Sequence, residues 1–192
     1  MNTDFYAFLN RMKYIKRWSL MHSTVEENIM EHSWQVTTIA HALALIKNKM
    51  FDGSVDVYKV MCIAQYHEAG EVITGDLPTP IKYFNKDIQT AYKDLEKNAC
   101  EKLIKMLPEE LQDEYSSFIL DNPDSEEHKI MKCADRLAAY IKCLEEIKSG
   151  NKEFLKAKAS IGKELEKSDR EEVKYFMANI VPGYEKTLDE LE

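Results

Sequence analysis

Apolar residues recur every three or four positions through most of this 192-residue chain, and segments that alternate apolar with polar residues are nearly absent. That spacing winds into helices with one buried stripe and leaves no material for a sheet, so the expected fold class is all-α. Helices are predicted over about residues 3–15, 31–48, 55–73, 87–106 and 125–148, with Gly150 just past the last of these. Another is opened by Pro108 with Glu109 and Glu110 in its first turn, and two more end the chain. The final helix is expected to start at a capping box, Ser168-Asp169-Arg170-Glu171. After the third helix, Gly75-Asp76-Leu77-Pro78-Thr79-Pro80 reads as a stiff loop whose prolines hold Leu77 and Thr79 extended.

The length suits one domain covering 1–192, and 44% apolar with 31% charged residues is the composition of a folded protein. Acids outnumber bases 34 to 26, a net charge of −8, which lacks the basic footprint of a nucleic-acid binder. No run of residues is apolar enough to span a bilayer, and the N-terminus carries no apolar signal core, so a cytoplasmic protein with no membrane partner is expected. Cys62, Cys100, Cys133 and Cys143 form no C-x-x-C pair, which argues against a thiolate zinc site or a redox dithiol.

Several polar residues interrupt the apolar stripes. His32 shares one with Val36, Ile39, Ala40 and Leu43; His67 shares another with Val60, Ile63, Ala64 and, one turn on, Glu71. Glu68 adjoins His67, and Asp135 sits among Ala134, Ala138 and Ala139, whose small side chains leave room beside it. Each alone reads as a satisfied core residue; together they form a nitrogen and oxygen donor set suited to a borderline divalent metal held between helices. His67-Glu68 does not start a zinc-protease H-E-x-x-H motif, because Glu71 stands where the second histidine belongs. Nor does it fit a di-iron bundle, since Ile29 and Ala64 occupy the Glu positions of the Glu-x-x-His pairs. His22 and His128 are expected exposed, His41 structural, and Trp34 part of the core or of a subunit interface.

Glu31-His32-Ser33, His67-Glu68-Ala69-Gly70-Glu71-Val72, Thr74-Gly75-Asp76-Leu77-Pro78-Thr79-Pro80 and Lys132-Cys133-Ala134-Asp135 together resemble the HD-domain metal-dependent phosphohydrolases. With Arg17-Trp18 ahead of them and Lys142-Cys143-Leu144-Glu145-Glu146 after them, the chain is similar over nearly its whole length to the YfbR-like 5'-deoxynucleotidases. That resemblance implies a hydrolase of deoxyribonucleoside 5'-monophosphates with a helical HD fold, one divalent metal ion per subunit and a homodimer. Cobalt or manganese is the implied ion, with zinc, iron or magnesium as other candidates. The implied ligands are His32, His67, Glu68 and Asp135, and position 68 departs from the family pattern, where the His-Asp pair has its aspartate. The extra methylene moves the carboxylate by roughly 1.5 Å against ligand tolerances of about 0.2 Å.

Glu71 is implied to handle a proton, or to orient His67. Arg17 has a planar fork able to hold two phosphate oxygens. By the same resemblance Trp18 closes on the deoxyribose edge and excludes a 2'-hydroxyl, Asp76 accepts from the 3'-hydroxyl, and Leu77, Pro78 and Thr79 wall the nucleotide site, while His32, Glu68 and Asp135 also face the substrate. Two other readings stand beside this one. One is an HD hydrolase of a different nucleotide or phosphate ester; the other is a catalytically silent helical binding module in which Glu68 has disabled the metal site.

Overall fold

The computed structural model describes residues 3–191, and among them every regular element is helical, apart from a single antiparallel bridge between Lys16 and Asn28. Helix α1 (Phe5–Leu9) runs into a 3-10 turn, Asn10–Tyr14, so the helix predicted over about 3–15 is two pieces. Helix α2 (Ile29–Met50) starts earlier than predicted, because the Asn28 side chain accepts from the backbone N–H groups of Met30 and Glu31 and Glu31 closes a capping box. Then follow α3 (Val57–Tyr66), α4 (Glu71–Thr74), α5 (Thr79–Lys82), α6 (Lys86–Ile104), α7 (Glu109–Ile119), α8 (Glu126–Lys148), α9 (Leu155–Glu166) and α10 (Glu171–Asn179).

The core is where α2, α3 and α8 meet. Val36, Ile39, Ala40 and Leu43 from α2, Val60, Ile63 and Ala64 from α3, and Ile130, Ala134, Leu137 and Ile141 from α8 are all buried in one cluster. Each large aliphatic side chain there contributes about 1.5–3 kcal/mol by leaving water. Ile161, Leu165, Val173 and Phe176 of α9 and α10 extend the cluster, while Phe5, Ala69, Leu103 and Leu107 form a smaller one behind the turn that follows α3.

Several local expectations fail. Helix α3 does not run to about residue 73: it stops at Tyr66, where the His67 ring accepts the role of its own cap by donating Nδ1–H to the Ala64 carbonyl at 2.7 Å, and Gly70 lies in the turn that follows. Thr79 is not extended but opens the one-turn helix α5, in which Pro80 is tolerated because first-turn N–H groups need no helical acceptor. The box at Ser168 does not form; Arg170 is the N-cap of α10 and makes no side-chain cap, its guanidinium pairing with Glu172 and Glu126. Trp34 is 72% exposed and so is not core. His128 is half-buried, not exposed, because Asp121 holds its Nδ1 at 2.7 Å.

The irregular stretch between the first 3-10 turn and α2 is fastened down at both ends. Its limbs pair through Arg17 N–H to the Glu27 carbonyl (2.9 Å) and Ile29 N–H to the Ile15 carbonyl (3.0 Å). Its far side is tied to α8 by Glu146, which accepts from Thr24 N–H (2.8 Å), Thr24 Oγ1 (2.7 Å), Val25 N–H (3.2 Å) and Asn151 Nδ2 (2.8 Å) while pairing with Lys142 (2.5 Å). Lys142 in turn donates to the Val25 carbonyl at 2.5 Å. The pair is sealed from water, with side chains 5% and 1% exposed.

Burial alone would raise the Glu146 carboxyl, but Lys142 and the hydrogen bonds from Thr24 and Asn151 hold it well below the usual carboxylate range. A depressed folded-state pKa stabilises the protein above the unfolded value, about 4.3, and that contribution drains away as pH falls below it. Glu146→Gln should therefore cost about 3–5 kcal/mol of unfolding free energy at pH 7, as breaking a buried pair does, and should flatten the acid limb of stability against pH. Urea unfolding at pH 7 and pH 3.5 checks both.

Candidate metal centre

The α2–α3–α8 packing brings one donor group from each element to a common point. His32 lies in the first turn of α2, His67 and Glu68 in the turn after α3, and Asp135 midway along α8; one ligand atom from each lies within 4.8 Å of the others. His32 Nε2 is 3.1 Å from Asp135 Oδ1 and 3.9 Å from Glu68 Oε1, and His67 Nε2 is 3.3 Å from Glu68 Oε1. From that turn a Glu68 carboxylate oxygen reaches the same point as the histidines.

The donor set fits a divalent ion on its own chemistry. Because His67 Nδ1–H is spent on the Ala64 carbonyl, Nε2 is the ring nitrogen left to face the cluster; it is buried and has no hydrogen-bond partner. An unpartnered buried ring nitrogen is costly unless something else takes the lone pair. Two donors each about 2.1 Å from one ion stand roughly 3–4 Å apart, which is the scale of the separations seen. Two imidazoles and two carboxylates suit manganese, iron, cobalt or zinc. Burial opposes the charged form of Glu68, yet His67 and Arg17 hold its carboxyl far down; burial likewise opposes Asp135, which His32 and Lys132 hold well below the usual range.

The other expected residues surround this cluster. Arg17 donates Nε–H to Glu27 Oε2 (3.2 Å) and Nη1–H to Glu68 Oε1 (3.4 Å), leaving Nη2 used by neither acid. Arg17, Trp18, His67, Glu68, Glu71, Asp76, Leu77, Pro78, Thr79 and Asp135 line one cleft of about 1360 Å³, with His32 buried behind it. Glu71 is not a further turn of the His67 helix; it is the first residue of α4, buried, with Oε2 unpartnered. Burial first, and then the neighbouring Glu68 charge, push its carboxyl well above the carboxylate range, so it carries a proton at neutral pH. Burial also raises Asp76, with Arg17 acting against it. Gly75, at φ +74, turns the chain into this wall in a conformation that favours glycine, and its carbonyl accepts from Tyr92 Oη at 2.9 Å.

One member of the site is absent from the sequence reading. Glu27 accepts from both Trp18 Nε1 (2.8 Å) and Arg17 Nε, and its Oε1 is 3.8 Å from His32 Nδ1. It sits in a polar stretch that has no periodicity to mark a buried acid, and only its place five residues before His32 could have drawn notice.

A family described as "5'-deoxynucleotidase YfbR-like" matches residues 4–184. The chain belongs to this YfbR-like family. A 5'-deoxynucleotidase of Enterobacter sp. (strain 638) is 50% identical to it over 190 residues, covering 98% of this chain and 96% of that one. One of Vibrio cholerae serotype O1 is 49% identical over 190 residues, covering 98% of each. Among solved structures, an HD-domain phosphohydrolase from Listeria innocua superimposes with a TM-score of 0.81 at 22% identity, covering 94% of this chain and 88% of that one. A cyanophage S-2L HD phosphohydrolase, solved with dA and one catalytic Zn2+ ion, gives a TM-score of 0.62 at 18% identity over 95% of this chain and 98% of that one. The HD-type helical fold expected of this YfbR-like chain is thus the one it has.

An ion that binds only the folded cluster stabilises the protein by mass action, about 2.7 kcal/mol at a hundred times Kd. Manganese or cobalt at that level should raise the Tm of metal-stripped protein, and Asp135→Ala should abolish the rise. Glu68→Asp, which draws the carboxylate back by roughly 1.5 Å, should weaken ion binding by on the order of tenfold; unchanged or tighter binding by calorimetry would show that glutamate is not the acid this turn is shaped for.

Proposed function

We propose that this YfbR-like chain hydrolyses deoxyribonucleoside 5'-monophosphates to the deoxynucleoside and inorganic phosphate, with His32, His67, Glu68 and Asp135 holding one divalent ion. The observation that carries the site assignment is the unpartnered His67 Nε2 facing two carboxylates and a second imidazole at the floor of a cleft walled by Arg17, Trp18 and residues 76–79. When bound, a divalent ion supplies Lewis acidity to water and to the phosphoryl group. Cobalt or manganese is the ion we propose, among those the donor set suits.

The side chains divide the remaining work. A phosphate monoester is doubly charged near neutrality and meets a protein of net charge −8, so local cations must draw it in. Arg17 binds it through the Nη2 hydrogens that Glu27 and Glu68 leave unused, and those two acids fix the plane of the guanidinium before substrate arrives. In hydrolysis a water oxygen bonds to phosphorus as the P–O5' bond breaks, and the departing 5'-oxygen needs a proton. Glu71 holds one in the cleft, and we assign it as the general acid. The Trp18 indole lies edge-on to Phe154, ring centroids 5.3 Å apart at 61°, which fixes it as a rigid wall against the sugar edge. Asp76 accepts from the 3'-hydroxyl, and Leu77, Pro78 and Thr79 complete the wall. That Glu68 reaches the cluster supports the hydrolase reading over the silent binding module.

The chain is proposed to fold as one domain and to act as a homodimer, a role that suits the exposed Trp34 and Tyr6 beside a groove of about 430 Å³. Among the described residues no helix is long and apolar enough to cross a membrane.

Phosphate release from the four deoxynucleoside monophosphates and their ribose counterparts, with metal-stripped protein resupplied with Co, Mn, Mg or Zn, tests the reading. Turnover should require the ion and favour deoxyribose. Arg17→Ala removes charged hydrogen bonds of about 1.5–3 kcal/mol each, so kcat/KM should fall roughly ten- to a hundredfold. Trp18→Ala should narrow the preference for deoxyribose. No turnover with any ion, in folded protein, would sink the assignment.

A further inference from the structure

We infer that Glu27 is the positioning residue that makes sugar selection and phosphate capture a single unit. The inference rests on the 5'-deoxynucleotidase reading above. Arg17 and Trp18 are neighbours in sequence, but their side chains are placed by one acceptor: Glu27 Oε2 takes Trp18 Nε1–H at 2.8 Å and Arg17 Nε–H at 3.2 Å. The backbone sets up that convergence. Residues 15–17 run antiparallel to 27–29, with Arg17 N–H on the Glu27 carbonyl, so positions 17 and 27 face one another across the pair.

Trp18 itself is held in a conformation it would not choose. Its φ is +57, the left-handed region that a bulky residue rarely occupies and that persists only where surrounding contacts over-determine it. Those contacts are the Glu27 hydrogen bond, the Phe154 ring and the Met21 N–H bond to the Trp18 carbonyl at 2.8 Å. Of the three, only Glu27 also reaches the phosphate-binding guanidinium. Its side chain is 12% exposed, and its other oxygen faces His32, the first residue of the donor cluster. Without that carboxylate, Trp18 is free to relax toward ordinary backbone angles and Arg17 keeps only its longer contact with Glu68.

Two folded variants test the assignment, Glu27→Gln, which keeps shape and one acceptor, and Glu27→Ala, which keeps neither. In metal-free, 15N-labelled protein the chain's two tryptophans give two indole N–H resonances, with the exposed Trp34 as internal reference. In the wild type the Trp18 indole should exchange with solvent more slowly than that of Trp34, and in Glu27→Ala its protection should fall about tenfold or more. In the loaded enzyme the ratio of deoxyribo- to ribonucleotide kcat/KM should drop by about tenfold, with KM for both rising, and Glu27→Gln should lie between wild type and Glu27→Ala. A residue that merely supported the fold would lower Tm and leave the ratio alone. Wild-type selectivity or an unchanged Trp18 indole in either folded variant overturns the assignment, and if Glu27→Ala does not fold, Glu27→Gln decides. Absence of turnover in the wild type would defeat the deoxynucleotidase reading itself, whereas the indole exchange reports on Glu27 without it.

Discussion

The hydrogen bond from His67 Nδ1 to the Ala64 carbonyl shapes the rest of the site. It uses a carbonyl that the next turn of α3 would otherwise need, and the helix ends at Tyr66. It leaves Nε2 as the ring nitrogen that faces the donor cluster. It also hands the chain to an irregular turn in which Glu68 can swing to the same point as His67 while Glu71 restarts a separate helix behind it. One side-chain contact thus sets helix length, donor identity and the placement of the two acids.

Charge management follows from that geometry. Glu68 and Asp135 are kept ionised by the cations and imidazoles around them, while Glu71, buried beside Glu68, holds its proton. Two glutamates three residues apart are thereby given opposite protonation states, one to hold charge and one to hold a proton. Beside them lies Arg17, whose guanidinium is oriented by two carboxylates. The loop that bears Arg17 is in turn nailed to α8 by the sealed Lys142–Glu146 pair, so the helix that supplies Asp135 also braces the loop that carries Arg17.

The helices and the donor set were legible in the sequence because periodicity reports burial directly: the stripes through His32 on α2 and Asp135 on α8 are the stripes that pack. What sequence could not show is where a helix stops when a side chain, not a glycine or proline, stops it. His67 fits the α3 stripe perfectly well as a helical residue, and only its ring position shows that it ends the helix. At position 68 the extra methylene of Glu68 still leaves a carboxylate oxygen within the donor cluster. Glu27 and Glu146 were hidden because single buried acids in a polar stretch, or at the end of a charged helix, leave no pattern; their partners come from 9 and 122 residues away.

The most direct measurement is a crystal structure of the cobalt-loaded protein with anomalous data at the cobalt edge. One peak per chain, about 2.0–2.2 Å from His32 Nε2, His67 Nε2 and a carboxylate oxygen each of Glu68 and Asp135, is the expected result. A peak elsewhere, or one at this point with the Glu68 carboxylate turned away from it, would contradict the assignment of these four residues as a single metal centre.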